Sequence, residues 1–201
     1  MPAAIDFYFD FSSPYGFLAS EKIEALAARH GRRVDWHPIL LGIVFKHTGA
    51  VPLTQVPLKG DYSKRDMARS GRLYGVTGFR MPSVFPIATQ APARIVLWSQ
   101  RKEPALAVAV LHALYRAFFT EDIDISSPDR AAAIAARSGV DQGAARAAID
   151  DPAIKDALRV ENDQAIAAGV FGSPFLIADG EPFWGMDRLD QVDRWLATGG
   201  W

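Results

Sequence analysis

The sequence predicts an α/β fold in which one sheet is assembled from both ends of the chain and a helical block is inserted between them. Three observations predict it. Ile5-Asp6-Phe7-Tyr8-Phe9 is dense in aromatic and β-branched residues and runs into Ser12-Ser13-Pro14, where a helix starts. Residues 93–168 are rich in Ala and Leu and carry repeated helix-start signals. Phe175-Leu176-Ile177-Ala178 and Pro182-Phe183-Trp184 then flank the turn pair Asp179-Gly180, which returns the chain to sheet. On this reading residues 1–40 and 170–201 form one discontinuous domain, and residues 41–169 form a loop-rich, helical insertion covering a site.

Each element follows in order. After the first strand, Phe17, Leu18, Ile23, Leu26 and Ala27 share a helical face between Pro14 and His30, and Gly31 is the natural stop. Residues 33–40 alternate as a second strand, with Pro38 marking its end or an edge, so the start is a right-handed, parallel β-α-β unit. Residues 41–92 are broken by Gly and Pro and predict a long loop with one helix from about Tyr62 to Tyr74. Such a loop covers a site, with Lys46, Lys59, Tyr62, Arg80, Phe85 and Gln90 available to line it. Helices are expected at 93–100, after Glu103-Pro104, after Ser127-Pro128, after Asp141, and from Asp151-Pro152 to Gly169. The last helix carries Leu189, Val192, Trp195 and Leu196, with Asp187 as its N-cap.

Composition narrows the chemistry. The 201 residues carry a formal net charge of -1, which gives no electrostatic reason to expect nucleic acid or an anionic membrane as partner. No apolar run approaches the roughly 18 residues of a spanning helix, and no leader is visible, so a cytoplasmic protein acting on small molecules is expected. With no cysteine, disulfides, thiolate metal sites and cysteine nucleophiles are excluded, and the four histidines lack metal-ligand spacing, so no metal is expected. The junction after the first strand is where open α/β sheets place their sites, beside a helix N-terminus that favours anions and thiolates. Pro14 at the first helical position makes Ser13 the N-cap; its hydroxyl serves either as a cap alone or as a ligand contact in the crevice.

The element order, with a proline just before the third strand, resembles the thioredoxin fold carrying an inserted all-helical domain. There Ser13-Pro14-Tyr15-Gly16 stands where a redox Cys-x-x-Cys would begin the first helix. More specifically, residues 6–15, Arg80-Met81-Pro82, Phe85-Pro86-Ile87, residues 169–175 and residues 183–189 are similar to kappa-class glutathione transferases and bacterial 2-hydroxychromene-2-carboxylate isomerases. The resemblance implies glutathione as cofactor, with Ser13 activating its thiol. It implies that Ser173, before a cis Pro174, pairs its backbone with the cysteinyl part, as an added strand does. Trp184, Asp187 and Arg188 are implied near the γ-glutamyl end. Lys46 and Lys59 would grip a substrate carboxylate, and Gln55 and Phe85 would touch the aromatic substrate. A homodimer is also implied.

Three functions follow as alternatives. The first is a glutathione-dependent isomerase of an aromatic carboxylate, whose bound thiolate adds reversibly to the substrate. The second is a kappa-like transferase that conjugates glutathione to electrophiles. The third is a non-catalytic thioredoxin-like binding module.

Overall fold

A computed structural model describes residues 3–201. Four strands form one sheet in the order β2-β1-β3-β4: β1 (Ile5–Phe9), β2 (Val34–Pro38), β3 (Phe175–Ala178) and β4 (Glu181–Trp184). β1 pairs in parallel with β2, Phe7 opposite Trp36, and antiparallel with β3, Phe7 opposite Leu176. The two ends of the chain therefore meet in the middle of the sheet. β4 and β2 form the edges, and Pro38 ends β2 where a proline is tolerated.

The core explains why β1 is central. Ile5, Phe7 and Phe9 are fully buried. Helix α1 (Pro14–Arg29) covers one face with Phe17, which stacks on Phe119 of α5 (Pro104–Phe119) at 5.3 Å between ring centroids. Phe11 meets Tyr115 at 4.7 Å, so the end of β1 is locked into α5 by aromatic contacts. Each such ring contributes on the order of 1.5–3 kcal/mol through burial.

The remaining helices are α2 (Leu41–Thr48), α3 (Lys59–Leu73), α4 (Gln90–Lys102), α6 (Pro128–Ala136), α7 (Gln142–Ala148), α8 (Pro152–Ala167) and α9 (Leu189–Thr198). Caps act as the sequence predicts: Ser13, Ser127, Asp141 and Asp151 each accept a first-turn N–H. Four readings need correction. The stretch after β2 is not a loop but α2, followed by a 3₁₀ turn at Leu53–Gln55. Helix α3 starts at Lys59 rather than near Tyr62, and α4 extends beyond 93–100 in both directions because Pro92 falls within its tolerated first turn. Asp187 does not cap α9: it lies inside a 3₁₀ turn, Met186–Arg188, and α9 begins behind Arg188 without a side-chain cap. The Ser173–Pro174 bond is cis, and so is Phe85–Pro86, which the sequence reading did not anticipate.

Candidate active site

At the carboxyl end of β1 lies a cavity of about 840 Å³. The start of α1, one side of α2, residues 51–54, residues 85–90 and the approach to β3 enclose it. Its wall is mostly apolar, as ligand clefts are, with few polar groups converging at its base.

Ser13 stands at that base, 4% exposed. Its Oγ accepts the Gly16 N–H at 3.0 Å and donates to the Ser173 carbonyl at 2.7 Å. The cap and the crevice contact are thus made by one hydroxyl. Ser173 Oγ in turn accepts the Asp10 N–H at 3.0 Å, which pins the residue before cis-Pro174 to the end of β1. No acidic residue sits in the first turn of α1, so the helix turns its positive end towards the cavity.

Asp10 is the residue that sequence reasoning missed. It is 2% exposed, and its carboxylate accepts Ser12 N–H at 2.6 Å, Leu41 N–H at 2.6 Å and the Thr89 hydroxyl at 3.2 Å. Burial pushes this carboxyl up to about 6, against the opposing pull of those three donors. Its position after a strand reads as ordinary polar punctuation. Only the tertiary packing of α2 and α4 around it makes it unusual. Tyr15 was also missed: it lines the cavity and donates to Asp66 of α3 at 2.7 Å. Burial, and then this bond, holds the Tyr15 phenol well above its ordinary range.

The expected residues divide as follows. Ser13, Ser173, Trp184, Lys46, Phe85 and Gln90 line the cavity. Trp184 is 56% exposed and packs edge-on against Phe171 at 5.0 Å, forming one lip of the opening. A Cβ on Gly172 would lie 2.3 Å from the Trp184 Nε1, so only glycine lets the indole close against this backbone. Pro174 sits behind Ser173, its carbonyl accepting Gly185 N–H at 3.0 Å. Asp187 and Arg188 do not line the cavity: they pair with each other at 2.9 Å in the exposed turn beyond β4. Asp187 is nonetheless close enough to Tyr15 for its charge to raise that phenol further. Gln55 and Lys59 also fall outside the lining, Gln55 on the 3₁₀ turn beside Thr54 and Lys59 opening α3, and so do Tyr62 and Arg80.

Comparison with known proteins agrees with this fold. The family model described as a DSBA-like thioredoxin domain matches residues 4–197. A 2-hydroxychromene-2-carboxylate isomerase from Sphingobium xenophagum is 30% identical over 199 residues, covering 98% of this chain and 99% of its own. Glutathione S-transferase kappa 2 from Caenorhabditis elegans is 28% identical over 207 residues, covering 96% and 91%. The solved structure of a 2-hydroxychromene-2-carboxylate isomerase superposes with a TM-score of 0.87 at 26% identity, over 96% of this chain and 94% of its own.

Proposed function

The chain belongs to the DSBA-like thioredoxin domain family, with relatives named as 2-hydroxychromene-2-carboxylate isomerases and kappa-class glutathione transferases, and from that premise we propose a glutathione-dependent isomerase of an aromatic carboxylate. One observation carries the reading. The Ser13 hydroxyl is buried at the positive end of α1, against the carbonyl that precedes cis-Pro174, in a chain without cysteine. Disulfide exchange needs a protein thiol that this chain lacks, so any thiol chemistry at this site uses a thiol brought by a ligand.

The cavity fits such a ligand: a positive helix end, a backbone acceptor at residue 173, and an apolar wall beyond them. Bound glutathione would supply a thiolate able to add to an electrophilic ring carbon and leave again. The chain's own part is to keep that sulfur ionised and to orient two molecules. The Ser13 hydroxyl and the α1 N-terminus both favour a thiolate over a thiol. An amide N–H arriving at the Ser173 carbonyl takes over the bond now made by Ser13 and frees that hydroxyl to turn towards sulfur. Lys46 offers its ammonium to the substrate carboxylate, and Phe85 offers a flat apolar surface. Trp184, Asp187 and Arg188 stand on the side assigned to the γ-glutamyl end, while Gln55 and Lys59 are left for the rim.

Calorimetric titration with reduced glutathione, followed by turnover of 2-hydroxychromene-2-carboxylate, tests the reading. Saturable binding is expected in the wild type, weakened in Asp187→Ala. Ser13→Ala is expected to keep binding within a few-fold and to lose about 10²–10³ in turnover, the usual cost of removing one donor to a developing or resident anion. Glutathione recovered intact identifies an isomerase. Glutathione consumed identifies the transferase alternative, which the 28% identity to the kappa relative supports. No binding at millimolar glutathione overturns both and leaves a binding module. We further propose a cytoplasmic homodimer without nucleic-acid or membrane partners; sedimentation of the purified protein checks the dimer.

A further inference from the structure

We infer that Asp10 is the positioning residue for the substrate half of the cavity, the pin that holds two of its walls against the thiol site. One carboxylate does this from the end of β1. Its Oδ2 accepts the Leu41 N–H, the first amide of α2, and the Thr89 hydroxyl at the start of α4. Helix α2 carries Lys46, and the segment leading to Thr89 carries Phe85, so the two substrate-facing groups hang from the same oxygen. Ser12 completes the arrangement. Its Oγ accepts the Ile87 N–H at 3.3 Å, and its own N–H is held by Asp10 Oδ1. Helix α2 has no side-chain cap from Leu40, its own N-cap residue; Asn162 Oδ1 of α8 accepts the Leu40 N–H at 2.8 Å, and Asp10 accepts the first amide of the helix proper, that of Leu41. Ser13 and Ser173 depend on Asp10 through its backbone only, its carbonyl accepting Ser13 N–H and its N–H reaching Ser173 Oγ. Changing the side chain therefore touches the walls and leaves the thiol site's own bonds in place.

The inference rests on the proposed reaction for its kinetic readout and on structure alone for its second one. Asp10→Asn, Thr89→Val and Thr89→Ser are compared in the full chain. An amide at position 10 sets a donor against either Leu41 N–H or Ser12 N–H, and valine removes only the hydroxyl on the wall side. Hydrogen exchange is expected to accelerate across residues 41–48 in Asp10→Asn and Thr89→Val. It should stay at the wild-type rate in Thr89→Ser, and in residues 20–29 of α1 throughout. KM for the chromene carboxylate should rise about tenfold in Asp10→Asn and about threefold in Thr89→Val, the scale of one hydrogen bond each, while kcat and glutathione affinity stay within about twofold. Unchanged exchange in residues 41–48, or a glutathione affinity that falls as far as KM rises, overturns the inference. A wild type that ignores the chromene acid defeats the functional reading instead, and the exchange pattern then decides the role of Asp10. If Asp10→Asn fails to fold, the Thr89→Val and Thr89→Ser pair decides the matter.

Discussion

Burial of Asp10 has two opposed consequences, one for stability and one for the site. Its carboxyl is raised from 3.8 to about 6, chiefly by loss of solvent. Between those values the folded chain keeps a proton that the unfolded chain has released. Stability from this group is therefore highest below about pH 4 and falls as pH rises through 6, by about 3 kcal/mol in total. The difference in unfolding free energy, wild type minus Asp10→Asn, should fall by that order between pH 4 and 7 in urea titrations. A flat difference would show that Asp10 ionises in the fold as it does in water. Affinity for the aromatic substrate should run the other way, KM falling as pH rises, because only the ionised form accepts from Ser12, Leu41 and Thr89 together. Tyr115, the other titratable side chain facing Asp10, donates to its carbonyl and is held far above this range by burial, so it does not titrate here. Glu21 shifts oppositely. Burial raises it, but bonds from His112 and Arg116 prevail and hold it at about 2. Its stability is lost as pH falls, and it cancels in the wild-type-minus-variant difference.

Among the elements, those whose signals are local were legible, and those that borrow their partners were not. Pro14, Pro104, Pro128 and Pro152 open the helices they announce, since a first-turn proline, joined at all but Pro104 by a capping Ser or Asp, acts within four residues. Helix α2 gives no such notice, because the acceptor for Leu41 N–H lies 31 residues away on Asp10. The 3₁₀ turn and α3 depend likewise on close contact: a Cβ at Gly60 would lie 2.4 Å from the Thr54 carbonyl oxygen, a backbone atom that cannot swing aside. Gly60→Ala should therefore push residues 53–55 off α3 and cost about 1–3 kcal/mol in thermal unfolding, the range for overpacking. Because Leu53 and Thr54 line the cavity, the same variant should raise KM for the aromatic substrate while glutathione titrates as before. Wild-type melting with normal KM would mean that the turn yields without cost.

At the scale of the whole molecule, the sheet drawn from both chain ends was legible because its strands are written in aromatic and β-branched residues flanking turns. The aromatic faces that join α5 to the sheet are of the same kind, but the polar clasp between α8 and the sheet was not legible, since it lies in single contacts across large sequence separations. His37 of β2 is the clearest case. Its Nδ1 meets Glu161 of α8 at 2.6 Å and its Nε2 meets Asp6 of β1 at 3.2 Å, while its ring stacks on Tyr8 at 4.6 Å. Burial by itself lowers the imidazole's pKa, but the two carboxylates outweigh it and the net shift is upward. A histidine raised in the folded state contributes stability that is fully present below its unfolded value of about 6.5 and is lost as pH rises through the folded one. The clasp between sheet and α8 should thus weaken on the alkaline side, by on the order of 1 kcal/mol given its partial exposure. His37→Gln keeps a hydrogen-bonding side chain and removes the charge. Denaturant unfolding at pH 6 and pH 9 should show the wild type losing more stability than this variant over that interval. His112 is raised by Glu21 and Glu24 in the same direction despite its own burial, and remains in both proteins, so only the His37 contribution survives the comparison. Equal losses would place the attachment of α8 in its apolar contacts, Leu158 and Ala165 above all, and leave the ion cluster without a part in holding the two halves together.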